Sequence, residues 1–230
     1  MQRLRDIADR ARPVALAQEQ VLPVLPALAG LLPGGLQRGT TVQIAAAGSG
    51  IGSTSLALAV LAGPSAAGSW TAAVGVPALG LAAAAGFGVD LGRLVLVASP
   101  PPEQWATVVA TLLDAFDVVL ARPVRRVGSV EGRRLVARAR ERGSVLVRLG
   151  ASTDWPEAAD ASLTVVASAW EGLGTGHGHL RARRVTVEAG GRRANARVRR
   201  AELWLPGTDG SLSAGPELFR ASRQRTRVAS

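Results

Sequence analysis

Apolar residues in this chain fall into short runs separated by glycine, proline and serine, and the spacing inside the runs is of two kinds. Thr41–Ala45, Trp70–Val76, Leu94–Ala98, Asp117–Ala121 and Val145–Leu149 are compact and mostly uninterrupted, the pattern of strands buried on both faces. Between them lie segments with helical spacing at about Ser53–Leu61, Ala78–Phe87, Pro102–Phe116 and Glu131–Arg142. In the third of these, Trp105, Val108, Val109, Leu112 and Leu113 share an inward face. The alternation predicts an α/β fold, a mainly parallel twisted sheet with helices on both faces. After Asp154 the rhythm changes. Ser162–Trp170, Arg183–Ala189 and Arg200–Leu205 read as strands without long helices between them, expected as antiparallel additions at one edge, with the glycine-rich Leu173–Leu180 as a hairpin loop.

The ends read differently from the middle. Gln2–Arg12 is expected to be an amphipathic helix with Leu4, Ile7, Ala8 and Ala11 on one face, ended by Pro13. The expected organisation is an N-terminal helix and linker over 1–30, a core over 31–206, and a basic, mobile tail over 207–230.

Composition narrows the classes. Apolar residues make up 47% of the 230, enough for a full core. The absence of cysteine excludes disulfides, thiol catalysis and cysteine-held zinc, and suits a reducing cytoplasm. No continuous apolar stretch follows Met1–Asp6, so no secretory signal is expected. From Gly39 to Val89 no residue is charged, yet glycine, proline and serine break the run too often for a membrane span. All 27 basic residues are arginine. Residues 1–172 hold 15 of them against 13 acids, and 173–230 hold 12 against 4, so the net +10 belongs mostly to the C-terminal quarter. Such asymmetry points to nucleic acid or an acidic protein partner.

The chemistry centres on Thr40–Val60, which reads as strand, glycine-rich turn and helix. That is the layout of a phosphate-binding loop, G-x-x-x-x-G-K-[ST]. Gly48, Gly50, Gly52, Ser53 and Thr54 keep its shape, but aligned on Gly52 and Thr54 the lysine position is Ser53 and the first glycine is Ala47. No lysine exists elsewhere to replace it, and no arginine lies nearby in sequence. Ser53 and Thr54 are expected to cap the helix, with weak nucleotide binding the alternative to a purely structural turn.

Over about 31–206 the order of elements resembles the RecA-type recombinase core. Gly34–Gly39 is similar to its "G-G-L-P-x-G" entry with Gln37 for the proline, and Ala84–Leu94 looks like its "L-G-V-D-x-x-x-L" segment. Trp105–Leu120 resembles the helix and strand that carry the Walker B aspartate. Against that pattern the catalytic glutamate falls at Val76, the Walker B aspartate at Arg122, and the sensing glutamine near Gly150. The substitutions remove cation, base and metal ligand together, so no catalytic residue and no bound cofactor are expected. A degenerate core of this kind with a basic C-terminal end resembles the RecA-like accessory protein of the actinobacterial inducible mutagenesis cassette, the ImuA type. The resemblance implies a cytoplasmic adaptor, nucleoid-associated on induction, in damage-induced translesion synthesis. Its implied partners are an inactive Y-family polymerase homologue (ImuB type) and an error-prone C-family polymerase. The alternatives are a divergent RecA/RadA-type DNA-dependent ATPase and a SulA-type division inhibitor.

Other signals point to surfaces. Arg181, Arg183, Arg184, Arg192, Arg193, Arg197, Arg199 and Arg200 form a basic hairpin cluster, a candidate for DNA or partner contact, with Arg125, Arg126, Arg133 and Arg134 a second. Trp70, Trp105 and Trp170 read as core, whereas Trp155 and Trp204 are candidate partner anchors. His177 and His179 lack further ligands for a metal site.

Overall fold

An apolar strand in a parallel sheet needs covering on both faces, and the chain supplies that cover with an uncharged helix on one face and amphipathic helices on the other. The computed structural model describes residues 20–48, 52–173, 178–192 and 198–215. Its elements are β1 (Val21–Leu22), β2 (Leu36–Gln37), β3 (Thr41–Ala46), α1 (Ser53–Ala66), β4 (Thr71–Val74), α2 (Leu81–Gly86), β5 (Leu94–Val97) and α3 (Trp105–Ala115). They continue through β6 (Val118–Ala121), α4 (Ser129–Arg142), β7 (Val145–Leu149), β8 (Ala161–Leu173), β9 (Gly178–Gly190), β10 (Arg199–Trp204) and β11 (Ser213–Ala214). The expected helix Gln2–Arg12 lies outside the described residues.

One nine-stranded sheet runs in the order β11-β10-β9-β8-β3-β7-β6-β4-β5, and β1 and β2 form a separate antiparallel pair. Strands β3 to β7 are mutually parallel, as expected. The expectation that everything after Asp154 is antiparallel is corrected at β8, which pairs parallel to β3 with Val42 opposite Ala161 and Ala46 opposite Val165. Within the nine-stranded sheet the antiparallel pairings are β8 with β9, β9 with β10 and β10 with β11. The β8–β9 hairpin also extends further than its apolar stretches suggest, each strand being 13 residues long. Among the described residues no helix is long and apolar enough to cross a membrane.

The sheet separates two cores. On one face α1 packs with Ile44, Leu120, Val147, Leu163, Val185 and Val187; on the other, α3 and α4 cover Ala72, Val119 and Leu146. Every residue of α1 from Leu56 to Ser65 is buried, because a second layer lies over it. That layer comes in part from the stretch expected to be a linker: Leu22 and Leu28, followed by Leu31 and Leu32 at the start of the expected core, join the α1 core. The crossing is close. A Cβ on Gly63 would sit 2.6 Å from the Pro23 carbonyl oxygen and 2.7 Å from Val24 Cα, so only glycine fits. A helix covered on both sides needs no polar face, and this accounts for the uncharged run from Gly39 to Val89 without a membrane.

On the opposite face α4 is amphipathic. The Gly128 N–H donates to Glu131 Oε2 at 3.2 Å at its start, and Gly143 at φ 67° ends it. Arg138 and Arg142 on α4 both pair with Asp114 on α3.

Substituting Gly63 by alanine is expected to destabilise the fold by about 1–3 kcal/mol through overpacking. For a chain this size that is a fall in melting temperature of roughly 2–10 °C. Thermal unfolding followed by circular dichroism checks it, and an unchanged midpoint would contradict the described crossing of α1 by residues 23 and 24.

Candidate functional site

The C-terminal edge of the parallel strands is where α/β sheets place ligands, and the glycine-rich turn lies there between β3 and α1. Gly48 at φ 133° and Gly52 at φ 101° adopt conformations that L side chains rarely reach, so the turn depends on glycine at both points. Gly50 lies outside the described residues. The N-cap of α1 is Gly52, which has no side chain to bond the free amides of the first turn. The expected capping by Ser53 and Thr54 is therefore corrected: both lie inside the helix, with their side chains beside a cleft.

That cleft, about 240 Å³, has Gly48, Ser53 and Thr54 on one wall and Arg122, Gly150 and Ala151 on the other. No carboxylate is among its lining residues. The backbone of Arg122 is fixed at the end of β6, since its N–H donates to the Val74 carbonyl at 3.0 Å and its carbonyl accepts from Trp105 Nε1 at 3.0 Å. Its exposed side chain thus puts a cation at the position where the resemblance calls for a metal-binding aspartate. Val76, at the position of the catalytic glutamate, is buried in the α1 core with Leu79 and Phe87.

The structure also brings in an arginine that sequence separation hides. Arg183 on β9 is 7% exposed, and its guanidinium reaches across to the first turn of α1. Nη2 donates to Ser55 Oγ at 2.5 Å and Nε to the Leu205 carbonyl at 2.7 Å. The guanidinium carbon lies 5.0 Å from the centre of the Trp170 ring, and a Cβ placed on Gly52 would lie 3.6 Å from it. Burial pushes its pKa below the ordinary arginine value. No carboxylate pairs with it among the described residues. Its only sequence signal was its place in an arginine cluster, 128 positions from Ser55.

The rest of that cluster is divided by strand register. Arg184 lies 3.9 Å from Glu202, Arg200 3.6 Å from Glu188, and Arg192 3.5 Å from Asp160. Those three have acidic neighbours within the protein, and Arg183 is buried. Arg181 and Arg199 make no ion pair with a described residue, and Arg193 and Arg197 lie outside the described residues. In the second basic group, Arg125 pairs with Glu131 at 3.1 Å, while Arg126, Arg133 and Arg134 are exposed.

The tryptophans also exchange roles. Trp105 is buried as expected, but Trp70 is 47% and Trp170 40% exposed. Trp155, expected as an anchor, is 4% exposed, packed edge-on to Trp105 at 5.8 Å and under the Arg148 guanidinium at 5.0 Å. Arg148 is itself 2% exposed, and desolvation pulls its pKa down to about 10, so it remains a cation at neutral pH. Trp204 is half-buried on β10, opposite Arg184. His179 is exposed, and His177 lies outside the described residues.

Replacing Arg183 with alanine leaves the buried Leu205 carbonyl without its side-chain donor and removes the contact with Trp170. The expected cost is about 2–3 kcal/mol, a melting temperature lower by roughly 4–10 °C. Lysine, with a compact ammonium in place of the planar fork, is expected to restore less than half of the loss. A midpoint for the alanine variant within about a degree of the parent would contradict the role given to Arg183.

Comparison with known proteins covers the loop but stops short of the hairpin. A family model described as the MT3502 N-terminal domain matches residues 30–157. The protein Rv3395c of Mycobacterium tuberculosis, itself described as uncharacterized, is 42% identical over 105 residues, which are 45% of this chain and 50% of that relative. The matched region thus spans about half the length of that relative. With more than half of its residues matched, the chain belongs to the MT3502 N-terminal domain family.

Proposed function

We propose that the chain is a RecA-like adaptor without catalytic activity, working in damage-induced mutagenic translesion synthesis. It binds an inactive Y-family polymerase homologue of the ImuB type within an assembly that includes an error-prone C-family polymerase. The observation that carries the non-catalytic part is the cleft beside the glycine turn. Phosphoryl transfer requires a metal held by carboxylates and a base to orient the nucleophile. The cleft lining offers neither, and Arg122 stands at the metal-ligand position. Arg183 meanwhile occupies the first turn of α1, bonded to protein acceptors.

Three further points support the RecA-like and adaptor parts. The strand bearing the turn lies inside a parallel sheet between β7 and β8, and the sheet is closed by antiparallel strands on one side, in keeping with the sequence resemblance. The mycobacterial relative accords with an actinobacterial family. The exposed Trp170 and the free Arg181 supply aromatic and arginine side chains of the kind that dominate protein interfaces. DNA is a secondary partner in this reading, touched through arginines left unpaired.

The test combines two measurements on the full chain. Purified protein is expected to show no ATP hydrolysis above background, and a Thr54→Ala variant to behave identically. In pull-downs, the full chain and the 1–206 fragment are both expected to retain the Y-family homologue. Hydrolysis abolished by Thr54→Ala would overturn the non-catalytic reading. Retention of a tubulin-like division protein, with no retention of polymerase components, would overturn the choice of partner.

A further inference from the structure

The outer part of the β8–β9 hairpin is a ribbon of only two strands. β3 accompanies β8 as far as Val165, and β10 accompanies β9 as far as Arg184, with one further pair of bonds between Arg183 and the 205–206 backbone. Beyond Trp170 and Arg183, which stand opposite each other, Glu171–Leu173 and Gly178–Ala182 pair with each other, and no described strand joins either outer edge. A two-stranded ribbon is at best marginally stable in water, and its open edges carry unsatisfied backbone donors and acceptors.

This ribbon also gathers large apolar side chains. Trp170 is 40%, Leu180 49% and Leu173 63% exposed. Leu173, opposite Gly178, shares one face of the ribbon with Leu180, and Trp170 lies on the other; two exposed leucines on so short a ribbon give the kind of apolar surface that marks an interaction site.

Its charge is one-sided. Trp170 stands opposite Arg183, and Arg181 follows on the same face of β9 two residues away. The acid of the ribbon, Glu171, stands opposite Ala182 and so belongs to the other face. Neither Arg181 nor Arg183 meets a carboxylate among the described residues. For Arg183, a buried guanidinium held only by neutral acceptors, a nearby negative charge would offset part of the desolvation cost.

We propose that the β8–β9 ribbon is the docking site for an extended, acidic segment of a partner protein. The segment adds its backbone to an open edge, sets apolar side chains against Leu173 and Leu180 on one face, and brings carboxylates to Arg181 and the rim of Arg183 on the other. A polypeptide fits better than a nucleic acid. Strand edges bond to peptide groups, and the Arg183 guanidinium, 5.0 Å over the Trp170 ring, already takes one face on which a base would stack. The inference rests on the adaptor reading only in taking the partner to be a protein.

The test needs no knowledge of that partner, so its failure is distinct from failure of the polymerase pull-down. Phage-displayed random dodecapeptides are selected on immobilised full-length protein, and the most enriched peptide is synthesised with a fluorescein label. Selected sequences are expected to alternate Asp or Glu with apolar residues. Arg181→Glu and the double variant Leu173→Ser/Leu180→Ser are each expected to weaken the labelled peptide tenfold or more. Arg140→Glu, on the exposed side of α4, is expected to leave it unchanged. Melting curves confirm that each variant is folded. The proposal is overturned if selected peptides carry no acidic bias, or if folded ribbon variants bind as tightly as the parent. It is equally overturned if a twenty-residue oligothymidine binds the ribbon and no peptide does.

Discussion

The rest of the molecule is arranged around a helix with no side facing water. Burial of α1 from Leu56 to Ser65 requires two layers: the sheet beneath, and the segment bearing Leu22, Leu28, Leu31 and Leu32 above. Each layer constrains the sequence. The sheet side demands aliphatic residues, and the upper side demands a residue without a side chain at position 63. A charged residue anywhere along this helix would be desolvated without a partner, at a cost far beyond the margin by which domains are stable. The glycine turn is the only way into that helix from β3. Its positive φ angles at Gly48 and Gly52 are therefore requirements of packing, whatever chemistry the turn hosts.

That separation of shape from chemistry explains the electrostatics of the site. A helix N-terminus already carries partial positive charge, and two arginines from distant parts of the chain lie close to it. Arg122 arrives on the strand end that Trp105 and Val74 hold in place, and Arg183 arrives from β9. In a cleft lined by no acid, Arg122 has nothing in common with the ligands of a magnesium site, which concentrates negative charge to hold the ion. Arg183 is fixed by protein acceptors and by the face of Trp170, so it braces the turn against the hairpin.

Much of the sheet was legible because its physics is local. β6 and β7 are unbroken apolar runs flanked by breakers, and such runs are buried wherever they end up. The loss of the loop cation was equally plain, since Ser53 can be read directly. What escaped depends on pairing between residues far apart. Trp170 ends the stretch Ser162–Trp170 expected as a strand, yet a register shift between Val165 and Ala167 and the lack of a neighbour beyond β3 leave it exposed. Trp155 follows a polar turn and looks exposed, but Arg148 and Trp105 close over it from β7 and α3. The arginines at 181, 183, 184, 192, 199 and 200 read as one cluster because they are near in sequence. Alternation along β9 sends Arg183 inward and Arg184 outward, and the register with β10 gives Arg184 and Arg200 their own acids.

The region shared with the family ends at residue 157, just before β8, and this boundary is not one at which the fold can be divided. β3 sits inside the sheet only because β8 pairs with its second edge from Val42 to Ala46. Removing β8 to β10 would open that edge and strip Leu163, Val165, Val185, Val187 and Leu203 from the core around α1. Five large aliphatic side chains at roughly 1.5–3 kcal/mol each exceed the net stability of most domains. The matched region and the hairpin are therefore one cooperative unit. A docking ribbon built on β8 and β9 is rigidly referenced to the glycine turn through Arg183, which joins the two by hydrogen bonds to Ser55 on one side and Leu205 on the other.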